Sequence, residues 1–230
     1  LFIIVFNFWS YSTAQLSVQS IPQSIITKLN KNVPIFETGS FNILSENYQD
    51  SLDLINGYPY KFGYSFPVNI NFFDLAICDT LKNGDKIFRL KIQSTDASSI
   101  NFIFNNFYLP KGSELFIYND DYTHQIGAFT HQNNKLYNRF STSPVSGDEV
   151  IIEYFEPFLI NNKAKINISN IIHGYKSIFS MNRGYDDSQN CNNNVNCPEG
   201  QPWNDEKNAV VMTLTDGGTR LCSGVILNNV

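Results

Sequence analysis

The sequence is poor in charge and has no concentrated positive patch. Only 16% of its 230 residues are charged, and 16 Lys and Arg stand against 21 Asp and Glu, for a formal charge of -5. The basic residues are scattered along the chain and form no stripe of the kind that neutralises nucleic-acid phosphates. We therefore expect no nucleic-acid partner.

Cysteine and histidine are scarce as well, which bears on metal binding. The chain has four Cys and three His, no two Cys are separated by two residues, and no His lies at ligand spacing from a Cys. Structural zinc sites need such pairs. The acidic pairs Asp120–Asp121 and Asp186–Asp187 lack the alternating ligands and the turning Gly of a calcium loop. We expect solvated carboxylates there, no metal and no cofactor.

Long apolar runs are also missing, with one exception at the start of the chain. Leu1–Trp9 is apolar apart from one Asn, and small residues at 12–14 precede Gln15. This length is typical of the apolar region and cleavage site of a secretory signal peptide, and it is too short for a membrane span. We predict a signal peptide remnant over residues 1–14, cleavage between Ala14 and Gln15, an extracellular location, and no membrane partner afterwards. A buried first strand is the alternative.

What the chain does have is aromatic and β-branched residues in short runs. It contains 19 Phe and 12 Tyr, a composition that favours β-sheets. Six runs have the length and pattern of strands: Lys86–Ile92, Ile100–Leu109, Glu114–Tyr118, Ile126–Thr130, Glu149–Phe155 and Ile166–His173. The turn residues Pro110–Ser113 predict a β-hairpin between the second and third runs. This spacing of short strands predicts a β-sandwich or jelly roll.

Motifs near the end of the chain resemble a known family. Cys191 and Cys197 are separated by five residues, and Pro-Glu-Gly follows the second of them. An apolar run at Ala209–Met212 comes next, and then Cys222-Ser-Gly-Val-Ile-Leu-Asn-Asn229. In order and spacing these motifs resemble the start of the protease domain of the lysyl endopeptidases, secreted bacterial serine proteases with the double β-barrel of trypsin. The region before them resembles, more diffusely, the pro-regions of such precursors.

The cysteines are candidate disulfide partners in this reading. Exported chains meet an oxidising environment, so Cys191, Cys197 and Cys222 are candidates to form bridges. A bridge from Cys191 to Cys197 would close a small loop and stays an alternative. The resemblance implies partners further along the barrel, so we expect all three unpaired here. Cys78 has no role in the family, and we expect a buried thiol, with an interchain or missing-partner bridge as the alternative.

The resemblance implies a Ser-His-Asp mechanism but places the catalytic residues beyond Val230. Ser223 lies in Cys-Ser-Gly, yet a strand follows it instead of the strand-to-helix turn of a nucleophile elbow, so we assign it no catalytic role. His124, His131 and His173 are expected to be ordinary surface or hydrogen-bonded residues. We therefore predict that the chain contains no catalytic residue.

Together these features predict an all-β protein with two domains. A β-sandwich or jelly-roll-like pro-domain would cover residues 15–182, and the first strands of a trypsin-like double β-barrel would cover 183–230. Arg183–Gly184, in a polar linker, is the candidate activation cleavage site, with Lys176 as competitor and an uncleaved linker as alternative.

The predicted function is the N-terminal fragment of a secreted serine endopeptidase precursor. The full-length enzyme would cut protein or peptide substrates after Lys or Arg, and the fragment itself would be inactive. The alternative is a non-catalytic extracellular β-sandwich that serves binding or adhesion.

Overall fold

A computed structural model describes most of the chain. It covers residues 16–30, 32–160, 162–179 and 198–225. The predicted signal cleavage at Ala14–Gln15, the linker site Arg183–Gly184, and both Cys191 and Cys197 lie outside these residues.

Two antiparallel sheets dominate the described residues, as the composition predicts. The strands of the first sheet are β1 (Ile35–Glu37), β3 (Ile77–Thr80), β4 (Lys86–Gln93), β6 (Glu114–Asn119), β7 (Gln125–Phe129) and β10 (Glu149–Glu156). Their order is β1-β4-β10-β6-β7, with β3 pairing β4 as well. Only the β1–β4 pair is parallel among these strands.

The second sheet is built around one long strand. Its members are β2 (Gly63–Asn71), β5 (Ser99–Tyr108), β8 (Phe140–Ser141), β9 (Val145–Ser146) and β11 (Lys165–Gly174). β11 lies between β2 and β5 and pairs antiparallel with both. The short strands β8 and β9 pair with the other edge of β5.

One apolar core joins the two sheets into two layers. Leu90 and Ile152 of the first sheet belong to the same buried cluster as Phe102 and Ile171 of the second. Such packing of apolar strand faces is what the alternating runs predict. The all-β prediction is confirmed in this coarse form.

The hairpin predicted at Pro110–Ser113 is wrong. The turn exists, since the Ser113 amide donates to the Pro110 carbonyl at 3.2 Å. However, β5 before it and β6 after it belong to different sheets. Leu109 and Leu115 flank the turn and are both fully buried in the shared core. The turn residues correctly predict that the chain reverses here. After the turn, however, the chain enters the other layer, so the two strands pack across the core and do not pair.

Helices are few, and the longest of them, α2, was not predicted from the sequence. They are α1 (Gln23–Ile26), α2 (Ile43–Ile55), α3 (Phe72–Leu75) and α4 (Asn204–Ala209), with 3-10 turns at His131–Asn133 and Pro198–Trp203. The side chain of Asn42 caps α2 by accepting from the amides of Leu44 and Ser45. Leu44 and Leu54 are largely exposed, and the buried residue of α2 is Asp53. Leu44, Tyr48 and Leu52 recur at helical spacing, but this apolar stripe is exposed instead of being packed against the core.

The described chain ends in a separate β-hairpin. Its strands are β12 (Val210–Thr215) and β13 (Arg220–Val225), which pair antiparallel in a two-stranded sheet of their own. The turn between them contains Gly217 and Gly218, both with positive φ.

Residues 16–30 are anchored to the first sheet through a buried carboxylate. Glu153 of β10 is fully buried. It accepts hydrogen bonds from the Ser24 amide at 3.1 Å, from the Ser24 hydroxyl and from the Tyr118 hydroxyl at 2.7 Å. Burial, and then the charge of Glu153, raise the pKa of Tyr118, so its hydroxyl stays protonated as a donor. These bonds supply the polar partners that a buried carboxylate needs.

We predict that Ser24→Ala destabilises the protein, because it removes a hydroxyl donor from the buried Glu153 carboxylate. The free energy of unfolding should fall by about 1–3 kcal/mol in urea denaturation. Ser17→Ala, at an exposed position of the same segment, is the matched control and should leave it unchanged. Equal denaturation midpoints for the two variants would show that the anchor contributes nothing.

Candidate functional site

The β12–β13 hairpin contains the described part of the motif region. Cys222 lies opposite Thr213, and Ser223 lies opposite Met212. The thiol of Cys222 is exposed and free among the residues the structure describes, and so is that of Cys78. The buried thiol expected at Cys78 is wrong. This residue lies in β3, a four-residue strand that pairs only with β4 among the described strands, and it is exposed.

The hairpin lies against the segment that leads into β2, residues 58–63, which we call the docking edge. Lys61 pairs with Arg220 in an antiparallel bridge. β13 therefore has β12 on one side and the docking edge on the other. The hairpin is added to the two-layer domain as strands are added to a sheet edge.

Backbone hydrogen bonds hold this contact. The carbonyl of Thr219 accepts from the amides of Phe62 and Gly63 at 2.9 and 3.2 Å. The amide of Leu221 donates to the carbonyl of Tyr60 at 2.8 Å. Phe62 is completely buried and Thr219 nearly so, which shields these bonds from water.

Arg220 adds a charged anchor at the centre of the contact. Its guanidinium donates to the Asp53 carboxylate, to Asp216 at 3.1 Å and to the Pro59 carbonyl at 2.8 Å. It also lies 5.5 Å from the centre of the Tyr58 ring, within the range of a cation–π contact. Only 13% of its side chain is exposed. A charge this far out of water needs such partners.

Helix α2 supplies acidic partners to three different segments. The ion pairs are Glu46 with Lys61 at 2.5 Å, Asp50 with Lys176 at 2.6 Å, and Asp53 with Arg220. The acids are spaced four and three residues apart, which places them on one helical face. That spacing is the signal in the sequence that could have identified both the helix and its charged face.

Comparison with known protein families matches one region of the chain. Residues 185–230 match the family described as lysyl endopeptidase, C-terminal domain. The resemblance to the lysyl endopeptidase family is confirmed. We call residues 185–230 the lysyl endopeptidase segment; it includes the whole hairpin and Arg220. No solved structure matches the chain.

The described part of the lysyl endopeptidase segment contains no assembled nucleophile. Ser223 lies within β13, and none of the described His residues is hydrogen-bonded to it. His124 is 3.2 Å from the Ser146 hydroxyl, and the buried His173 is 2.8 Å from the Ser94 hydroxyl. Burial lowers the pKa of both imidazoles, which keeps them neutral in these contacts.

Metal binding finds no support among the described residues. Asp120 forms an ion pair with Lys91 at 2.8 Å, and Asp121 accepts a hydrogen bond from the Thr123 hydroxyl at 2.7 Å. No group of three potential ligands occurs in the part of the chain that the structure describes. Asp186 and Asp187 lie outside it. Within the same residues, no helix is long and apolar enough to cross a membrane.

The charged contact on the lysyl endopeptidase segment shifts the pKa values of both partners. The hydrogen bond from Arg220, and then that from Gln49, lower the pKa of Asp53 below its ordinary value of 3.8. Burial opposes the charge of Arg220, but the hydrogen bonds to Asp53 and Asp216 outweigh it and raise its pKa. Because the pKa of Asp53 is lowered in the docked form, its ionised carboxylate stabilises that form at pH values above the ordinary pKa of the group. This stabilisation is lost as the pH falls through the lowered pKa of the docked form.

We predict that Arg220→Gln raises the pKa of Asp53 towards 3.8, because it removes the largest cause of the shift. NMR titration of the Asp53 carboxyl carbon measures this directly. Lys111→Gln, an exposed residue in the Pro110–Ser113 turn, is the control and should leave the midpoint unchanged. The contact is disproved if Asp53 titrates at the same pH in the wild type and in Arg220→Gln.

Proposed function

We propose that this chain is the N-terminal part of a secreted serine endopeptidase precursor. Its full-length form would hydrolyse peptide bonds in protein substrates after Lys or Arg. The observation that carries the proposal is the family match at residues 185–230, which contains the Cys222-Ser-Gly strand. The antiparallel hairpin formed by that strand also agrees with the first strands of a trypsin-like barrel.

The two-layer domain would be the pro-domain of this precursor. It precedes the lysyl endopeptidase segment in the chain and has its own apolar core. Such a core permits a domain to fold as a unit. The alternative, a non-catalytic extracellular module for binding or adhesion, is less favoured because it gives no reason for a protease-family segment after the sandwich.

The chemistry would come from residues after Val230. In a trypsin-like mechanism a Ser attacks the scissile carbonyl, a His accepts its proton, and a buried Asp orients that His. The residues of this chain would supply the first hairpin of the barrel and none of the catalytic side chains. The exposed thiol of Cys222 is in a place where a cysteine from the later barrel could reach it.

Activation would require cleavage between the two domains, and Arg183–Gly184 is the better of the two candidate sites. The competitor Lys176 is held in place, since its amide donates to the Phe62 carbonyl at 3.1 Å. Its ammonium group lies 2.6 Å from Asp50 and 4.8 Å from the centre of the Tyr60 ring. Proteases cleave backbone that is free to enter their active site, and these contacts oppose that at Lys176.

We predict that the secreted full-length enzyme starts at Gly184 and hydrolyses small amide substrates of Lys or Arg. Arg183→Gln should prevent formation of this N terminus, because the residue that a basic-specific protease recognises is gone. Lys176→Gln is the matched control and should be processed normally. N-terminal sequencing and the rate of amide hydrolysis are the measurements.

Three results would overturn the proposal. A mature N terminus after Lys176 or beyond Cys191 would reject the cleavage site. A full-length protein without hydrolytic activity towards Lys or Arg amides would reject the enzyme. Hydrolysis of casein by the 230-residue chain alone, above a blank, would mean that catalytic residues are present where we expect none.

A further inference from the structure

We propose that the two-layer domain binds the first hairpin of the protease domain as a noncovalent partner, and that the two stay together after the linker is cut. This inference rests on the proposed function, because it takes residues from 183 onward as the start of the protease. The binding surface consists of the docking edge together with Asp53, and its partner is the turn and first half of β13.

The backbone bonds across this surface require no particular side chain. Three of them join Thr219 and Leu221 to residues 60–63, with N···O distances from 2.8 to 3.2 Å. They satisfy donors and acceptors on the open edge of β13 that would otherwise be exposed. Cutting the chain at Arg183 breaks none of these bonds, and after the cut they and the ion pair alone would hold the two pieces together.

Arg220 makes the surface selective for this hairpin. Its fork of N–H groups donates to three different acceptors. Only 9% of the side chain of its partner Asp53 is exposed. A lysine cannot reproduce this geometry, since it presents a point charge in place of a planar fork. A buried charge pair of this kind is costly to break by truncation of either partner.

The turn of the hairpin fits against the outer face of the second sheet because the residue at the contact, Gly218, has no side chain. Gly218 has a φ of +84°, and a Cβ there would lie 3.0 Å from the side-chain nitrogen Nδ2 of Asn101. The same Cβ would lie 3.7 Å from the side chain of Ile172. Both the left-handed backbone and the close approach favour glycine at this position.

Asn101 shows that the docked state also carries a built-in cost. Its side chain lies against Gly218 and is 1% exposed, yet neither its side-chain oxygen nor its side-chain nitrogen has a hydrogen-bond partner among the residues that the structure describes. A buried amide without partners opposes the burial that creates it.

The test uses the full chain with a recognition site for a sequence-specific protease inserted between Arg183 and Gly184. After complete cleavage, size-exclusion chromatography and gel electrophoresis show whether the two pieces co-elute. We expect co-elution from low to physiological ionic strength, because salt screens a buried ion pair only weakly. Circular dichroism before cleavage confirms that each variant is folded.

Variants should shift this association in opposite directions. Arg220→Gln should weaken it at least about tenfold, because it leaves the buried Asp53 without its partner. Asn101→Ala should strengthen it, because it removes the orphaned amide. Lys111→Gln, outside the surface, should behave like the wild type.

Separation of the wild-type pieces at every salt concentration would overturn the inference. Equal retention in Arg220→Gln and in the wild type would overturn the role of Arg220. Because the readout is association and not hydrolysis, this result is independent of the enzyme assay. An active protease whose pieces separate contradicts only the inference, and co-eluting pieces from an inactive full-length protein contradict only the proposed function.

Discussion

The charge of Arg220 is the constraint around which the contact between the two parts of the molecule is built. With 13% of its side chain exposed, it requires acceptors from α2, from the docking edge and from its own turn. If the hairpin were undocked, Asp53 would lose its charged partner and the amides of Phe62 and Leu221 would lose their acceptors. The ion pair and the backbone bonds hold the hairpin in one register against the docking edge.

The unusual pattern of α2 has the same origin. A surface helix normally buries apolar side chains, whereas this one buries Asp53 and leaves Leu44 and Leu54 largely exposed. Ion pairs join it to Lys61, Lys176 and Arg220. The two-layer core is held by apolar packing, and the charged contact lies outside it.

The strands of this core could be predicted from the sequence, because alternation and aromatic content report burial directly. Their assignment to sheets could not be predicted. Pro110–Ser113 predicted a hairpin, but the strands on either side of this turn belong to different sheets. The resemblance of residues 185–230 to the lysyl endopeptidase family could be recognised from the spacing around Cys222. The partners of Arg220 could not, because Asp53 lies far away in the sequence and nothing local distinguishes this arginine from the other basic residues.

The most direct test of this account is the exchange rate of the Leu221 amide hydrogen in the 230-residue chain. This amide donates to the Tyr60 carbonyl across the contact, so its protection reports docking without reference to enzymatic activity. We expect exchange in the wild type to be at least about tenfold slower than in Arg220→Gln. Equal, unprotected exchange in both proteins would contradict the account.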